Sequence, residues 1–135
     1  MFGYNGGAAV QGIGFWLTKR AFLSGDKEAL VDGDRRLTYR ELNQRVNRLA
    51  RSLQTLGLTH GDRCAILAYN CAAFVEVIFA TAKLGIILVP LNWRLSPAEL
   101  AFNFSDSGSD TLIFDAEFAQ VVAQLQEQTT INRMI

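Results

Sequence analysis

A chain of 135 residues, half of them hydrophobic, is long enough for one core and too short for two ordinary domains. Its formal net charge is zero, so no global field recruits nucleic acid or anionic lipid, and no basic stripe with interleaved aromatics occurs. The charge is nevertheless uneven: up to Arg51, nine Lys and Arg stand against five Asp and Glu, whereas after Arg94 the one base Arg133 stands against six acids. Two solvated faces of opposite sign are the ordinary explanation.

Met1 to Gly14 holds five glycines and no clear period. It reads as a loose lead-in, and lacks the basic n-region and apolar run of a secretory signal. Phe15 to Phe22 is predicted to form a short amphipathic helix anchored by Phe15, Trp16 and Phe22. Leu30 and Val31, an Asp32-Gly33 turn signal, then Leu37 and Tyr39 predict a β-hairpin. Thr38 and Glu41 make a capping box, with Leu37 and Leu42 at the staple positions. In the helix that follows, Leu42, Val46, Leu49, Ala50, Leu53 and Leu56 share one face. Arg40, Arg45, Arg48 and Arg51 fall largely outside it and read as a solvated outer face rather than a phosphate site. Gly57 ends the helix. His60, the single histidine, lies in a polar turn with no nucleophile nearby and reads as a surface residue, not a general base.

Asp62 to Leu100 organises the rest. Two short apolar runs, Cys64 to Tyr69 and Ile86 to Leu91, flank a nearly continuous apolar segment from Cys71 to Leu84. This is the pattern of a strand, a crossover helix and a parallel strand. Asn70 is predicted to cap the helix and Gly85 to end it in the left-handed conformation. Apolar on most faces, the helix is expected to be buried on both sides. Only Glu76 and Lys83 interrupt it. Each would cost roughly 3 kcal/mol at a bilayer centre, which argues against a transmembrane segment. Cys64 and Cys71, the only cysteines, have neither zinc-site spacing nor a disulfide framework. They read as buried reduced thiols of a cytosolic protein.

Ser96 and Glu99 form a second capping box with Pro97 at the first helical position, stapled by Leu95 and Leu100. Thr111 to Phe114 is predicted as a short buried strand, Asp115 to Glu117 as a turn and Phe118 to Gln126 as an amphipathic helix. The final TTINRMI carries no capping or closing element. The fold class is therefore α/β: a parallel sheet layered with helices, joined by right-handed crossovers and preceded by a β-hairpin. Ligands of such sheets collect beyond the carboxyl ends of the strands. Those ends are Tyr69-Asn70, Asn92-Trp93-Arg94 and Asp115-Ala116-Glu117. No phosphate-cradling glycine motif at a strand-to-helix turn, nucleophile elbow, His-rich metal set or carboxylate pair is found, so no catalytic or metal residue is assigned.

Four signatures in order carry a family resemblance. They are Leu37-Thr38-Tyr39-x-Glu41-Leu42; Leu56-Gly57 followed by Gly61-Asp62-Arg63; Ala80 to Gly85; and Pro90-Leu91-Asn92-Trp93-Arg94-Leu95 before Ser96-Pro97-x-Glu99-Leu100. With them the stretch from Gly14 to Glu117 resembles the beginning of an AMP-forming acyl-CoA synthetase, most closely the bacterial long-chain fatty-acid–CoA ligases. Residues 15–135 would then be a partial N-terminal, AMP-binding domain, the N-terminal subdomain of the acyl-CoA synthetase fold. Members activate a carboxylic acid with ATP, accompanied by Mg2+, hold the acyl-adenylate and pass the acyl group to CoA. The resemblance implies that the phosphate loop, the ribose-binding aspartate and the lysine of a mobile C-terminal domain lie downstream of Ile135. This chain alone is then expected to be inactive and to bind none of the three co-substrates well.

By the same resemblance, Asn92, Arg94 and the Asp115–Glu117 turn lie at the periphery of CoA. The arginines that some relatives place beyond the second loop are missing between Arg94 and Arg133. Arg94 reads equally as a structural anchor at a strand–helix junction. The implied partner is a fatty or other carboxylic acid, in the cytoplasm, with no nucleic acid and with self-association through exposed surfaces. Two other readings stay open: a stand-alone α/β interaction module, and the start of a peptide-synthetase adenylation domain.

Overall fold

The computed structural model describes residues 12–135; Met1 to Gln11 of the expected lead-in lie outside them. Helix α1 (Ile13–Ser24) starts two residues before the predicted Phe15. The early start has a packing reason. A Cβ on Gly14 would stand 2.7 Å from backbone atoms of Ala82 and Lys83, so only glycine lets this helix approach its neighbour so closely.

Strands β1 (Glu28–Asp32) and β2 (Arg35–Thr38) form the predicted antiparallel hairpin, turning through Gly33 at φ 57°. Thr38 begins helix α2 (Tyr39–Thr55) with the full capping box: its side chain accepts from the Glu41 N–H, and the Glu41 carboxylate accepts from the Thr38 N–H at 2.8 Å. Leu42, Val46, Ala50 and Leu53 are buried as the periodicity predicts, but Leu56 at the helix end is exposed.

Strand β3 (Arg63–Leu67), helix α3 (Ala72–Leu84) and strand β4 (Ile87–Pro90) realise the predicted crossover unit. Helix α4 (Pro97–Asp106) follows from its Ser96–Glu99 box, then strand β5 (Thr111–Phe114), a 3-10 turn over Ala116–Phe118 and helix α5 (Ala119–Gln126). The chain does not stop unpaired. Arg133–Met134 forms strand β6 beside β5, with the Ile135 N–H donating to Leu112 O at 3.0 Å. The four parallel strands run in the order β4-β3-β5-β6.

Alternation along the central strands serves two cores. Cys64 and Ile113 face a core built from α1, α2, α3 and the hairpin. Ala65, Leu67, Leu112 and Phe114 face a second one against α4 and α5. The chain steps from β3 to β4, then back across β3 to β5, so the strand order reverses at the β3–β5 boundary.

Four expectations are corrected. Trp16 and Phe22 do not anchor α1, being 60% and 88% exposed; Gly14, Leu17 and Ala21 face the body instead. Asn70 does not cap α3: the N-cap position is Cys71, without a side-chain cap bond, and the free Ala72 N–H donates instead to Asp32 Oδ2 of the hairpin at 2.8 Å. Helix α3 is not buried on both sides; Ala72, Glu76, Val77, Ala80 and Thr81 are buried while Phe74, Val75, Ile78 and Phe79 remain half-buried. Its other flank lines an open groove against β1 rather than a second layer. Arg45 is not on a solvated face either. Its guanidinium forks onto the buried Glu76, Nε to Oε1 at 2.6 Å and Nη2 to Oε2 at 3.3 Å, because a carboxylate inside an apolar helix needs a cation.

The second interruption, Lys83, binds three helices together. Its Nζ donates to Thr18 Oγ1 of α1 at 2.8 Å and to Asn43 and Asn47 Oδ1 of α2 at 2.6 and 2.7 Å. Burial pulls this ammonium down to about 8. Gly85 ends α3 at φ 70° as predicted, and the ring of the exposed His60 lies against it.

Candidate functional site at the carboxyl ends of the strands

The reversal of strand order opens the sheet at the carboxyl ends of β3 and β5, where layered α/β sheets take their ligands. Three loops meet there. Tyr69, beyond β3, touches Trp93, beyond β4, edge-on with ring centroids 4.9 Å apart; it touches Phe118, beyond β5, at 4.8 Å. Phe118 is buried, while Tyr69 and Trp93 keep 38% and 41% of their surface exposed. The cluster is thus a wet aromatic shelf on a buried foot. Such rings offer flat π-faces on which a planar group can stack.

Arg94 completes the shelf, its guanidinium carbon 4.8 Å from the Trp93 ring centroid. It makes no salt bridge among the described residues, leaving its donors free for an anion. Asn92 shapes the loop: its Oδ1 accepts from the Arg94 N–H at 3.1 Å and its backbone carbonyl from the Leu95 N–H at 3.0 Å. This Asx turn aims the residue pair away from the sheet. Across the opening, Asp115 N–H donates to Leu67 O at 3.0 Å and the Asp115 carboxylate accepts from the Glu117 N–H at 3.1 Å. Asp115 is therefore spent on its own turn.

The two residues assigned from the sequence, Asn92 and Arg94, lie side by side on this edge, with Asn92 as the shaper and Arg94 as the exposed charge. What sequence reading missed is the contact of Tyr69 and Phe118 with Trp93. An aromatic residue just beyond each of the three central strands was the available signal.

A second concavity of about 400 Å³ lies between the hairpin and the start of α3, lined by apolar Leu30, Val31, Phe74 and Ile78 with Cys71 and Asp32. The Asp32 carboxylate already holds the Ala72 N–H there.

Known proteins share both the sequence and this frame. The AMP-binding enzyme family matches residues 17–135. The chain belongs to that family. It is 44% identical over 115 residues to a feruloyl-CoA synthase of an Amycolatopsis species, covering 85% of this chain and 23% of the relative. It is 39% identical over 121 residues to the long-chain-fatty-acid–CoA ligase FadD13 of Mycobacterium tuberculosis, covering 88% of this chain and 24% of the relative. The fold matches the crystal structure of the N-terminal domain of FACL13 from the same organism, with TM-score 0.86 and 37% identity over 92% of this chain and 33% of that one. The chain thus spans about a quarter of the curated relatives it matches, and its α/β fold is that of the N-terminal part of acyl-CoA ligases.

The family's co-substrates test the site. Among the described residues, no group of three or more His, Cys, Asp or Glu could hold a metal ion. Nor, among the described residues, does a glycine-rich turn at a strand end cradle a triphosphate. An exposed guanidinium beside an aromatic shelf suits a phosphate and a planar group at this rim.

Proposed function

We propose that the chain from helix α1 onward is part of the AMP-binding domain of a longer acid–thiol ligase. The ligase activates a carboxylic acid with ATP as an acyl-adenylate and transfers the acyl group to CoA. Adenylation turns a poor electrophile into one with a good leaving group, and CoA sulfur then takes its place. Within this reaction the present chain supplies a scaffold and a rim. Asn92 holds the loop, and Arg94 with Trp93 meets the CoA nucleotide from its periphery. The catalytic loops belong to residues beyond Ile135, so the chain alone forms no thioester.

The observation that carries this reading is the 39% identity to FadD13 across nearly the whole chain, and it favours a fatty acid as substrate. The feruloyl-CoA synthase at 44% identity favours an aromatic acid as the second reading. ATP and CoA as co-substrates, together with two unpaired cysteines, support a cytoplasmic setting. The open edge of β4, with Ile87 half exposed, supports self-association of the isolated chain.

The test begins with the coding sequence beyond Ile135, followed by expression of the longest open frame. AMP release and thioester formation are then measured with CoA and either a fatty acid or ferulate, beside the 135-residue chain. Thioester from the longer product only is expected, and the preferred acid decides between the two substrate readings. Turnover by the short chain would overturn the division of labour. A stop codon directly after Ile135 would overturn the ligase reading in favour of an interaction module.

A further inference from the structure

The two helix layers of the sheet carry opposite charge. Helices α1 and α2, over one face, hold Lys19, Arg20 and the four arginines of α2 against a single acid, Glu41, which is bound into its capping box. Helices α4 and α5, over the other face, lie in a stretch with no Lys or Arg between Arg94 and Arg133. The charge imbalance along the sequence is thus a charge imbalance across the sheet. Much of it is unpaired. Lys19, Arg20, Arg48 and Arg51 are exposed and make no salt bridge among the described residues. The same holds on the opposite layer for Asp106, Glu117 and Glu127.

Each layer also presents large apolar groups beside its charges. On α1 these are Trp16, Phe22 and Leu23, all largely exposed. On α4 it is Phe102, 68% exposed. Glu99 and Asp106 stand at helical spacing on either side of Phe102 and share its strip of the helix. The hydroxyls of Ser105 and Thr129 lie 2.7 Å apart, which brings Glu127 to the Asp106 end of this face. A concavity of about 360 Å³ adjoins Phe102, floored by Leu95, Ala98 and Asn103. It offers a seat for one aromatic ring.

We propose that copies of this chain associate head to tail, the α1–α2 face of one on the α4–α5 face of the next. Opposite signs then meet, and an aromatic anchor of α1 enters the concavity beside Phe102. A two-fold contact would instead set bases on bases or acids on acids, and like charges repel. The two faces lie on opposite sides of the sheet, so the contact repeats without closing and builds an open stack. With a formal net charge of zero, no long-range repulsion keeps copies apart. The contact is separate from the open edge of β4, and the inference is independent of the ligase reading.

The experiment is sedimentation velocity of the 135-residue chain across a concentration series at low and high salt. Species larger than a dimer, growing with concentration and shrinking with added salt, are expected. The Lys19→Glu, Arg20→Glu pair and the Asp106→Lys, Glu127→Lys pair should each raise the concentration needed for association about tenfold or more. Phe102→Ser should weaken it likewise. All five side chains are exposed, so circular dichroism and thermal melts should match the parent. In an equimolar mixture of the two charge-reversed pairs, the association that each has lost should return, because each supplies the face that the other lacks. Four outcomes would overturn the proposal: a monomer at every concentration, a closed dimer that one pair abolishes and the other leaves intact, a mixture that stays monomeric, or association that survives both pairs. The last would move the contact to the β4 edge.

Discussion

The carboxylate of Asp32, at the end of the first hairpin strand, caps helix α3 from 40 residues away, accepting the Ala72 N–H at 2.8 Å. Helix ends leave their first N–H groups without partners, and here the cap comes from tertiary structure rather than from the residue before the helix. Asp32→Ala should therefore cost about 1 kcal/mol of global stability, read as a lower urea midpoint. Asn70→Ala should cost almost nothing. The reverse ranking would restore the local cap that the sequence suggests.

The Arg45–Glu76 fork predicts a steeper loss. Glu76 is 7% exposed, so Glu76→Ala leaves a guanidinium facing an apolar helix without its partner. Arg45 is a third exposed and water can reach it, which moderates the loss to about 2 kcal/mol, below that of a fully buried pair. A double-mutant cycle with Arg45→Ala should show that most of the cost is coupling. Additive losses would mean that packing, not the ion pair, is what Glu76 supplies.

These two contacts also mark how far the sequence could be read. Both capping boxes, the hairpin turn at Gly33 and the Gly85 stop are local and were legible, and the crossover unit showed as two short apolar runs flanking a long one. Asp32 with Ala72, Arg45 with Glu76 and the Tyr69–Trp93–Phe118 cluster join residues far apart in the chain, and no period or spacing announces them. Strand β6 is two residues long, too short for any alternation to show. Its pairing with β5 joins Thr111 to Arg133 and Leu112 to Met134, a contact across about twenty residues of chain. Asn92 and Arg94 entered as candidates through resemblance; the aromatic cluster of Tyr69, Trp93 and Phe118 beside them emerged only from the three-dimensional structure.

Lys83 gives a pH dependence whose sign can be worked out. Its folded value of about 8 lies below the ordinary 10.5 because of burial. Between those values the folded lysine is already losing its proton while the unfolded one keeps it. The unfolded state then binds more protons, so stability rises with pH across that window. The buried Cys64 thiol, held protonated above its ordinary 9.0, works in the opposite direction in the upper part of this window, so the test is a difference: urea midpoints of the parent should climb relative to those of Lys83→Met. A relative fall would mean that the oxygens of Thr18, Asn43 and Asn47 outweigh desolvation in holding the charge.

The two thiols should separate cleanly. Cys64 is fully buried and burial pushes it up to about 12, whereas Cys71 is partly exposed beside the groove. The thiolate is the reactive form, so a disulfide reagent should label one cysteine in the native chain and both in denaturant. Peptide mapping should place the native label on Cys71. Labelling of Cys64 at a comparable rate would show that the sheet opens locally.

Arg94 carries the prediction that bears on catalysis. Its guanidinium rests on Trp93 and forms no salt bridge among the described residues, so Arg94→Ala should leave the thermal melt nearly unchanged. If it meets the CoA nucleotide at the rim, its removal loses binding shared by ground and transition states. In the longer ligase the KM for CoA should then rise roughly two- to fivefold, as for an exposed charge contact, with kcat and the KM values for ATP and acid unaltered. Added salt should raise the parent's KM for CoA toward that of the variant. Trp93→Ala, which removes the surface that orients the guanidinium, should behave likewise. A lowered melting temperature with unchanged KM would instead make Arg94 an anchor of the strand–helix junction, and the rim contact would fall.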